Sequence, residues 1–281
     1  MAGRLFLFGV GYAGAEIARQ AQAAGWQVAG TATSEAKARE LARAGIAAEP
    51  IGAGAPRALG SATHVVCTAP PTEAGDPVLA ACASCRPRWL GYLSTTGVYG
   101  DTAGAWVDET ATPRPGQPRS QWRLAAERAW RELGARQGFA VDLFRLPAIY
   151  GPGRSALDQV KAGTARAVDK PGQVFSRIHV EDLARAVLAA MERPAMAPGT
   201  IYNVTDDEPA PQPVVIAYAA RLLGLEPPPV VPWAEAEASM SAMARSFYAE
   251  NRRVRNERMK QVLGVTLKYP TYREGLRAIR G

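Results

Sequence analysis

Cysteine, histidine and lysine are scarce in this sequence of 281 residues. It contains 3 cysteines and 2 histidines. Its lysines are Lys37, Lys161, Lys170, Lys260 and Lys268. An odd number of cysteines without framework spacing argues against a disulfide scaffold and indicates a reducing compartment. So few potential ligands form no metal-binding pattern, and we expect no metal site.

Long hydrophobic runs are also absent. No uninterrupted apolar run approaches the roughly 18–20 residues that a membrane helix needs. The N-terminal segment resembles a signal peptide in composition, but Gly9, Gly11 and Gly14 interrupt its apolar stretch, and Glu16 follows directly. We therefore expect a cytoplasmic protein that does not associate with membranes.

Positive charge is in excess, but it is not concentrated in one segment. Lys and Arg total 33 against 26 Asp and Glu, which gives a formal net charge of +7. The arginines are spread from Arg4 to Arg280. A solvated basic surface and a site for an anionic small ligand are both compatible with this distribution, and we expect no nucleic-acid partner.

Short apolar runs alternate with alanine-rich amphipathic stretches in the first half of the chain. This pattern is typical of an α/β fold, with a parallel sheet covered by helices on both faces. Strands are predicted at residues 4–8, 26–31, 64–67, 89–94, 141–146 and 200–204. Helices are predicted at residues 13–24, 35–44, 120–133, 180–191 and near 272–279, and the stretch 245–260 is predicted to be helical.

A glycine-rich loop joins the first predicted strand to the first predicted helix. Its residues are Gly9, Val10, Gly11, Tyr12, Ala13 and Gly14. In a Gly-x-Gly-x-x-Gly loop, Gly9 allows the tight turn, Gly11 lets the backbone approach a pyrophosphate, and Gly14 lets the helix pack closely. The free N–H groups at the helix start would bind that pyrophosphate. The sequence therefore predicts a dinucleotide site here.

The second predicted strand ends without the acidic residue that usually binds the ribose hydroxyls of NAD. Thr33 and Ser34 stand there, with Lys37 one turn later. Hydroxyls and an ammonium group suit a 2′-phosphate better than a bare diol, so the pattern favours NADP, with NAD as the other possibility. In a second interpretation, the hydroxyls only cap the second helix.

Short motifs follow one another in a fixed order over nearly the whole chain. After the glycine loop come Ala69-Pro70-Pro71, STTGVYG at residues 94–100, RLPAIYGPGR at 145–154 and IHVEDLA at 178–184. Together they resemble the extended short-chain dehydrogenase/reductases, the NAD-dependent epimerase/dehydratase family.

This resemblance implies a doubly wound parallel sheet of the Rossmann type and a smaller, mainly C-terminal substrate domain. We expect the Rossmann domain to span residues 1–150, with residues 174–205 returning to it. Residues 151–173 and 206–281 would form the substrate-binding part. Four residues in or beside these motifs are expected to contact the cofactor: Ala69, Pro70, Pro71 and Leu146.

Catalysis in that family uses a Tyr-x-x-x-Lys pair, and the two positions fall on Arg119 and Arg123 in this chain. No other alignment supplies the pair, because the segment between Tyr99 and Tyr150 holds neither tyrosine nor lysine. Arg119 cannot act as an acid or base, since a guanidinium keeps its proton at any working pH. Arg123 retains the ability to donate hydrogen bonds to the nicotinamide ribose.

Thr95 matches the position whose hydroxyl orients the substrate oxygen in this family. Tyr99 is the nearest phenol in sequence and the first candidate for a proton donor, and Tyr150 is the second. A structural role for both tyrosines stays open, because Val-Tyr-Gly and Ile-Tyr-Gly occur widely in the family. We predict catalytic roles for Thr95, Tyr99 and Arg123.

Four further residues are candidates for substrate binding: Arg119, Tyr150, Arg154 and Arg177. An arginine binds phosphate or carboxylate through two parallel hydrogen bonds. The first functional hypothesis is an NAD(P)-dependent oxidoreductase or epimerase/dehydratase-like enzyme acting on an anionic, sugar-like small molecule. The second is a regulator or scaffold that binds NADP(H) without catalysis. Either would act as a monomer or homodimer.

Overall fold

A computed structural model describes residues 3–52, 56–82, 85–193 and 200–281. Its strands are β1 (Arg4–Phe8), β2 (Gln27–Ala32), β3 (Ala47–Pro50), β4 (His64–Cys67), β5 (Trp89–Thr95), β6 (Trp106–Val107), β7 (Ala140–Leu146), β8 (Ala148–Tyr150), β9 (Ala167–Asp169), β10 (Arg177–His179), β11 (Thr200–Asn203), β12 (Val230–Pro232) and β13 (Arg253–Val254). Its α-helices are α1 (Tyr12–Ala23), α2 (Glu35–Arg43), α3 (Leu79–Cys82), α4 (Pro118–Gln137), α5 (Ala156–Lys161), α6 (Val180–Glu192), α7 (Gln212–Leu222), α8 (Trp233–Ser239), α9 (Ala242–Tyr248), α10 (Glu257–Leu263) and α11 (Tyr272–Arg280). Two 3₁₀ helices span Arg57–Ser61 and Thr96–Tyr99.

The central sheet has seven parallel strands in the order β3-β2-β1-β4-β5-β7-β11. The chain runs outward from β1 through β2 to β3, and then returns to β4 on the other side of β1. Ligands of open α/β sheets bind beyond the carboxyl ends of the strands at such a reversal of order. The predicted α/β fold with a Rossmann-like sheet is confirmed.

Helices cover both faces of this sheet, and successive residues of one strand enter opposite cores. Leu5 and Leu7 of β1 belong to the core beneath α1, α2 and α6, whereas Phe6 and Phe8 belong to the core beneath α3 and α4. Strands that are buried on both faces consist of continuous apolar residues, and for this reason the sequence predicted β1.

The chain after β7 both leaves the sheet and returns to it. β8 and β10 pair with each other outside the main sheet, α6 then packs against α1, and β11 adds to the edge of the sheet beside β7. Residues 194–199 of the returning segment lie outside the described residues. The proposed division into a Rossmann and a substrate domain stays a prediction.

Several strands and helices outside the main pattern were not predicted, and two of the differences have clear physical causes. β3 was not predicted, because its residues Ala47–Pro50 are short, partly exposed and poor strand formers. Residues 245–260 are not one helical stretch: α9 ends at Tyr248, and α10 begins only at Glu257. Between them β13 pairs in parallel with β6, a contact between residues about 147 positions apart that local patterns cannot indicate.

Three further observations concern the described residues. None of the described helices is both long and apolar enough to cross a membrane. All three cysteines are buried free thiols. Within the described ranges, no group of three or more His, Cys, Asp or Glu side chains is placed to hold a metal ion.

Candidate functional site

The glycine loop follows β1 at the reversal point of the sheet. Gly9 has a φ of +90°, which a side chain would strain. A Cβ at Gly14 would lie 2.6 Å from the carbonyl oxygen of Gly9, so only glycine permits this closeness between helix and turn. A Cβ at Gly11 would meet nothing within 4 Å. The loop therefore has an open side at Gly11, and Val10, whose N–H donates to the carbonyl oxygen of Thr31 at 2.8 Å, ties it to β2.

The start of α1 is suited to bind an anion. Gly11 precedes the helix without a capping side chain, and its first turn holds no acidic residue. The first N–H groups of a helix lack partners within the helix and carry partial positive charge. The open side at Gly11 together with these donors fits the pyrophosphate of a dinucleotide.

Tyr12 and Arg154 close one side of this loop. The Tyr12 hydroxyl donates to the carbonyl oxygen of Pro152 at 3.2 Å, and the Arg154 guanidinium lies over the Tyr12 ring, 5.5 Å from its centroid. Burial raises the pKa of Tyr12, and the nearby positive charge of Arg154 opposes this shift. These contacts join α1 to the segment after β8.

A cavity of about 280 Å³ connects the loop to the ends of the central strands. It is lined by Gly11, Tyr12, Ala13, Gly14, Thr68, Leu93, Ser94, Thr95, Arg123, Leu146, Pro147, Ile149 and Arg154. The structure thus brings together loop residues with Thr95, Arg123 and Leu146, which are far apart in sequence. Ala69 is buried beside this cavity, where its carbonyl oxygen accepts from Arg123 at 3.4 Å.

A larger cleft of about 2210 Å³ shares Thr95, Arg123 and Leu146 with this cavity. Pro70 and Pro71 also line it. Its arginines are Arg119, Arg123, Arg154, Arg166, Arg177 and Arg252, and its acidic residues are Glu73, Asp158 and Glu250. The cleft therefore has more cationic than anionic groups. All four residues predicted to bind substrate lie along it.

The residues after β2 are exposed or engaged locally. Ser34 caps α2, because its hydroxyl accepts from the N–H of Lys37 at 3.2 Å. The Lys37 ammonium forms an ion pair with Glu40 at 2.7 Å on the same helix. Thr33 is exposed. Ser34 thus caps α2, as the second interpretation of these hydroxyls predicted. The Thr33 side chain is exposed at the end of β2.

Arg123 projects from α4 onto the carboxyl edge of the sheet. Its Nη1 donates to the carbonyl oxygen of Leu93 at 2.7 Å and to the Tyr92 hydroxyl at 3.1 Å. The side chain is therefore held in one orientation and half-buried. Arg119 is one turn earlier on the same helix and is exposed.

Thr95 ends β5, and its Oγ1 accepts from the N–H of Gly97 at 3.1 Å. Ser120 is a second hydroxyl beside it that the sequence reasoning missed. It is buried, lines the large cleft, and packs so closely on Gly97 that a Cβ there would collide with its Oγ. The same Cβ would lie 3.3 Å from Thr95 Oγ1, so both hydroxyls flank Gly97. The signal that could have identified Ser120 is its position directly after Arg119, which occupies the family's tyrosine position.

Tyr99 is not among the residues that line the two cavities. It is 2% exposed, and its hydroxyl donates to Asn203 Oδ1 at 2.7 Å. The Arg145 guanidinium covers its ring at 4.8 Å. Burial raises the pKa of Tyr99, which Arg145 offsets in part. The geometry therefore gives no support to the predicted catalytic role of Tyr99, because its hydroxyl is engaged away from the cleft.

Tyr150 lines the cleft, but its hydroxyl is partly engaged. It donates to the carbonyl oxygen of Thr271 at 3.4 Å, and burial raises the pKa of Tyr150. Its ring packs edge-on against His179. His179 caps α6 by accepting from the N–H of Glu181 at 3.2 Å, and burial lowers the pKa of His179 to about 4. Tyr150 thus forms part of the cleft wall, and the buried imidazole of His179, neutral at physiological pH, packs behind it.

A buried ion pair fixes α4 against the sheet. Glu127 accepts from Arg145 Nη2 at 2.7 Å and from the Ser94 hydroxyl at 2.6 Å. Both charged side chains are 3% exposed. Because α4 carries Arg119, Ser120 and Arg123, this pair sets the height of those residues above the strand ends.

We expect Glu127→Gln to lower the free energy of unfolding by about 3–5 kcal/mol, since it leaves the buried Arg145 charge without a counter-charge. Denaturant unfolding measures this loss. Glu132→Gln, on the exposed side of the same helix, is the matched control and should change stability little. A loss below about 1 kcal/mol for Glu127→Gln would mean that the pair does not hold the helix.

Comparisons with known proteins agree with this geometry. The sequence model of the NAD dependent epimerase/dehydratase family matches residues 71–205. A solved structure of a functionally unknown conserved protein from Silicibacter pomeroyi DSS is 45% identical and covers 99% of this chain and 98% of its own, with a TM-score of 0.92. Protein YeeZ of Escherichia coli strain K12 is 31% identical over 244 residues, or 80% of this chain and 85% of YeeZ.

A third relative has a named activity. The 3-diazoavenalumate denitrifying reductase of a Streptomyces species is 33% identical over 179 residues, which is 60% of this chain and 58% of the reductase. The sheet order and the loop after β1 define a Rossmann-type protein. The chain belongs to the NAD-dependent epimerase/dehydratase family, the extended short-chain dehydrogenase/reductases.

Proposed function

We propose that this chain is an NADP(H)-dependent oxidoreductase that acts on an anionic small molecule. The observation that carries this proposal is the shared wall of the two cavities. Thr95, Arg123 and Leu146 line both the cavity beside the glycine loop and the large cleft, so cofactor and substrate would meet there. When bound, the dinucleotide supplies or accepts a hydride at its nicotinamide ring.

The residues of this chain then have distinct tasks. Gly11 and the start of α1 bind the pyrophosphate through backbone N–H groups. Arg123 donates from Nη1 to the carbonyl oxygen of Leu93 at the edge of the sheet. Its other N–H groups would donate hydrogen bonds to the nicotinamide ribose. Thr95 and Ser120 orient the substrate oxygen, since both hydroxyls flank Gly97 in the cleft wall.

Among the described residues, the positions of the usual pair supply no proton to the substrate oxygen, and the Tyr150 hydroxyl in the cleft wall donates to the carbonyl oxygen of Thr271. Neither member of the usual Tyr-x-x-x-Lys pair is present, Arg119 keeps its proton, and the Tyr99 hydroxyl is bonded to Asn203. We assign the proton to water, positioned by Thr95 and Ser120. Reduction of a carbonyl then places a hydride on carbon and this proton on oxygen, and the rate lacks the 10²–10⁴-fold that a positioned acid typically adds.

The charge of the cleft and the activity of a relative support the proposed substrate class and reaction. Six arginines and three acidic residues line the cleft, which favours an anionic substrate. The Streptomyces relative is named a reductase, which favours reduction as the reaction.

We expect the chain to bind NADPH more tightly than NADH. Position 33 holds a threonine, and an acidic residue there would repel a 2′-phosphate. Thr33→Asp should invert this order. Calorimetric titration of both cofactors measures the ratio, and Thr33→Asn controls for the change of shape without charge. A tenfold preference for NADH in the unaltered protein, about 1.4 kcal/mol, contradicts the assignment.

A second candidate function is a regulator or scaffold that binds the dinucleotide without turning over. The arginines at positions 119 and 123 and the engaged hydroxyl of Tyr99 favour it. Tight NADPH binding without reduction of any compound in a broad carbonyl and nucleotide-sugar panel would support this candidate over the enzyme.

A further inference from the structure

The large cleft contains an arginine, Arg177, that forms hydrogen bonds with the described residues through only one of its side-chain nitrogens. Arg177 Nη1 donates to the carbonyl oxygens of Phe175 at 2.7 Å and Ala210 at 3.0 Å. Its Nε and Nη2 make no hydrogen bond to any residue that the structure describes. One edge of the guanidinium is therefore anchored to the backbone, and the other edge is free to bind a ligand.

A buried phenol without a partner lies beside this arginine. Tyr272 is 1% exposed, lines the cleft, and its hydroxyl has no hydrogen bond within the described part of the chain. Tyr272 belongs to the same buried cluster as Ala210, whose carbonyl oxygen accepts from Arg177, so the phenol and the guanidinium lie near each other. Because nearly all buried polar groups in folded proteins are hydrogen-bonded, an orphaned hydroxyl in a cleft wall indicates a ligand position.

The positive charge of Arg177 is not neutralised by a paired carboxylate. The N–H of Asp206 donates to the carbonyl oxygen of Arg177 at 2.7 Å, and of the acidic groups the Asp206 carboxyl has the largest influence on the pKa of Arg177. No carboxylate oxygen lies within 4 Å of the Arg177 side chain among the described residues. Burial raises the pKa of Asp206, and the charge of Arg177 opposes this shift.

Apolar side chains form much of the remaining wall of this part of the cleft. Val215 and Ile216 of α7, Leu276 of α11 and the ring of Phe175 line it. A ligand seated here would place carbon, not further charge, against these side chains. The environment thus offers one cationic edge, the hydroxyls of Tyr272 and Ser176, which are unpartnered among the described residues, and apolar side chains.

We propose that Arg177 and Tyr272 form a carboxylate subsite, which holds the acid group of a substrate whose neighbouring atoms are apolar. This deepens the proposed function, since the subsite lies in the same cleft. The two parallel N–H groups on the free edge of a guanidinium match the two oxygens of a carboxylate. The Tyr272 hydroxyl donates a third hydrogen bond to the same group. A phosphate carries a second negative charge, and the other cation beside Tyr272 in the described residues, Arg273, is already paired with Glu208.

The test uses small probes on the full chain, with and without NADPH. 3-Phenylpropionate carries a carboxylate on an apolar body, 3-phenylpropionamide is its uncharged counterpart, and phenyl phosphate carries the alternative anion. Their affinities are measured by ligand-observed NMR titration. We expect the carboxylate to bind at least tenfold more tightly than the amide and than phenyl phosphate.

Variants locate the binding to the subsite. Arg177→Gln should weaken 3-phenylpropionate binding by at least tenfold, and Tyr272→Phe should weaken it severalfold. Arg166→Gln is the matched control, because Arg166 is an exposed arginine in the same cleft, and it should leave the affinity unchanged. Arg177→Lys keeps the positive charge but loses the two parallel N–H donors, so it should also bind 3-phenylpropionate more weakly. If Arg177→Gln does not fold, Arg177→Lys replaces it in the test.

Several results would overturn the carboxylate subsite. These are equal affinity for acid and amide, absence of binding by all three probes at millimolar concentration, or unchanged affinity in a folded Arg177 variant. Preferred binding of phenyl phosphate would also overturn it and assign the subsite to a phosphate. None of these measurements needs hydride transfer, so failure of the oxidoreductase proposal leaves this test intact, and the reverse is equally true.

Discussion

Gly11→Val should weaken NADPH binding by at least about a hundredfold, equivalent to about 2.7 kcal/mol, while the protein remains folded. A Cβ at Gly11 meets nothing within 4 Å, so we expect the free protein to accommodate the side chain. It occupies the open side of the loop, where the pyrophosphate must approach the backbone. Calorimetric titration measures the binding, and thermal unfolding checks the fold.

Gly60→Val is the matched control for this change. Gly60 lies in the 3₁₀ helix Arg57–Ser61, and a Cβ there also meets nothing within 4 Å. The control should bind NADPH like the unaltered chain. Normal binding by Gly11→Val, with an unchanged melting temperature, would show that the glycine loop is only a turn between strand and helix.

The second large effect concerns the substrate oxygen. Thr95→Ala should lower any NADPH-dependent turnover by about 10²-fold or more, because the substrate oxygen loses an orienting hydrogen bond where charge develops. Arg119→Ala should leave turnover within about tenfold, since it removes no proton donor. Steady-state kinetics on a carbonyl substrate found by screening measure both changes.

Thr95→Ser retains the hydroxyl and should keep turnover near that of the unaltered protein. The opposite pattern, with Arg119 essential and Thr95 dispensable, would point to a mechanism based on anion binding at the start of α4. Equal losses in both variants would indicate that the cleft geometry, and not the hydroxyl, limits the reaction.

Local signals in the sequence predicted much of the sheet. β1 and β4 have the predicted bounds, because strands buried on both faces appear as short apolar runs with clear ends. The glycine loop also depends on local chemistry: a positive φ at Gly9 and close packing at Gly14. Such features need no knowledge of distant contacts.

The parts that sequence reasoning missed depend on pairs of residues far apart. Ser120 was overlooked because only the folded helix brings it to Gly97 beside Thr95. Tyr99 is close to Thr95 in sequence, yet the turn of the 3₁₀ helix directs its hydroxyl to Asn203, 104 residues away. Proximity along the chain was therefore a poor guide to which phenol enters the cleft.

The buried pair of Glu127 and Arg145 illustrates the same limit. Charged residues are almost never fully buried unless they are paired, and composition cannot say which carboxylate meets which guanidinium. Only the register of α4 against β7 places these two side chains within 2.7 Å. Sequence patterns thus located the cofactor loop better than the surroundings of the substrate.

A crystal structure of the chain with NADPH tests most directly whether the cofactor and substrate meet at Thr95. The decisive quantity is the distance from the nicotinamide C4 atom to Thr95 Oγ1. We predict about 6 Å or less, which leaves room for one substrate carbonyl between them at contact distance from both. A nicotinamide ring directed away from Thr95 and Arg123, with the pyrophosphate still on the glycine loop, would contradict hydride transfer at this site.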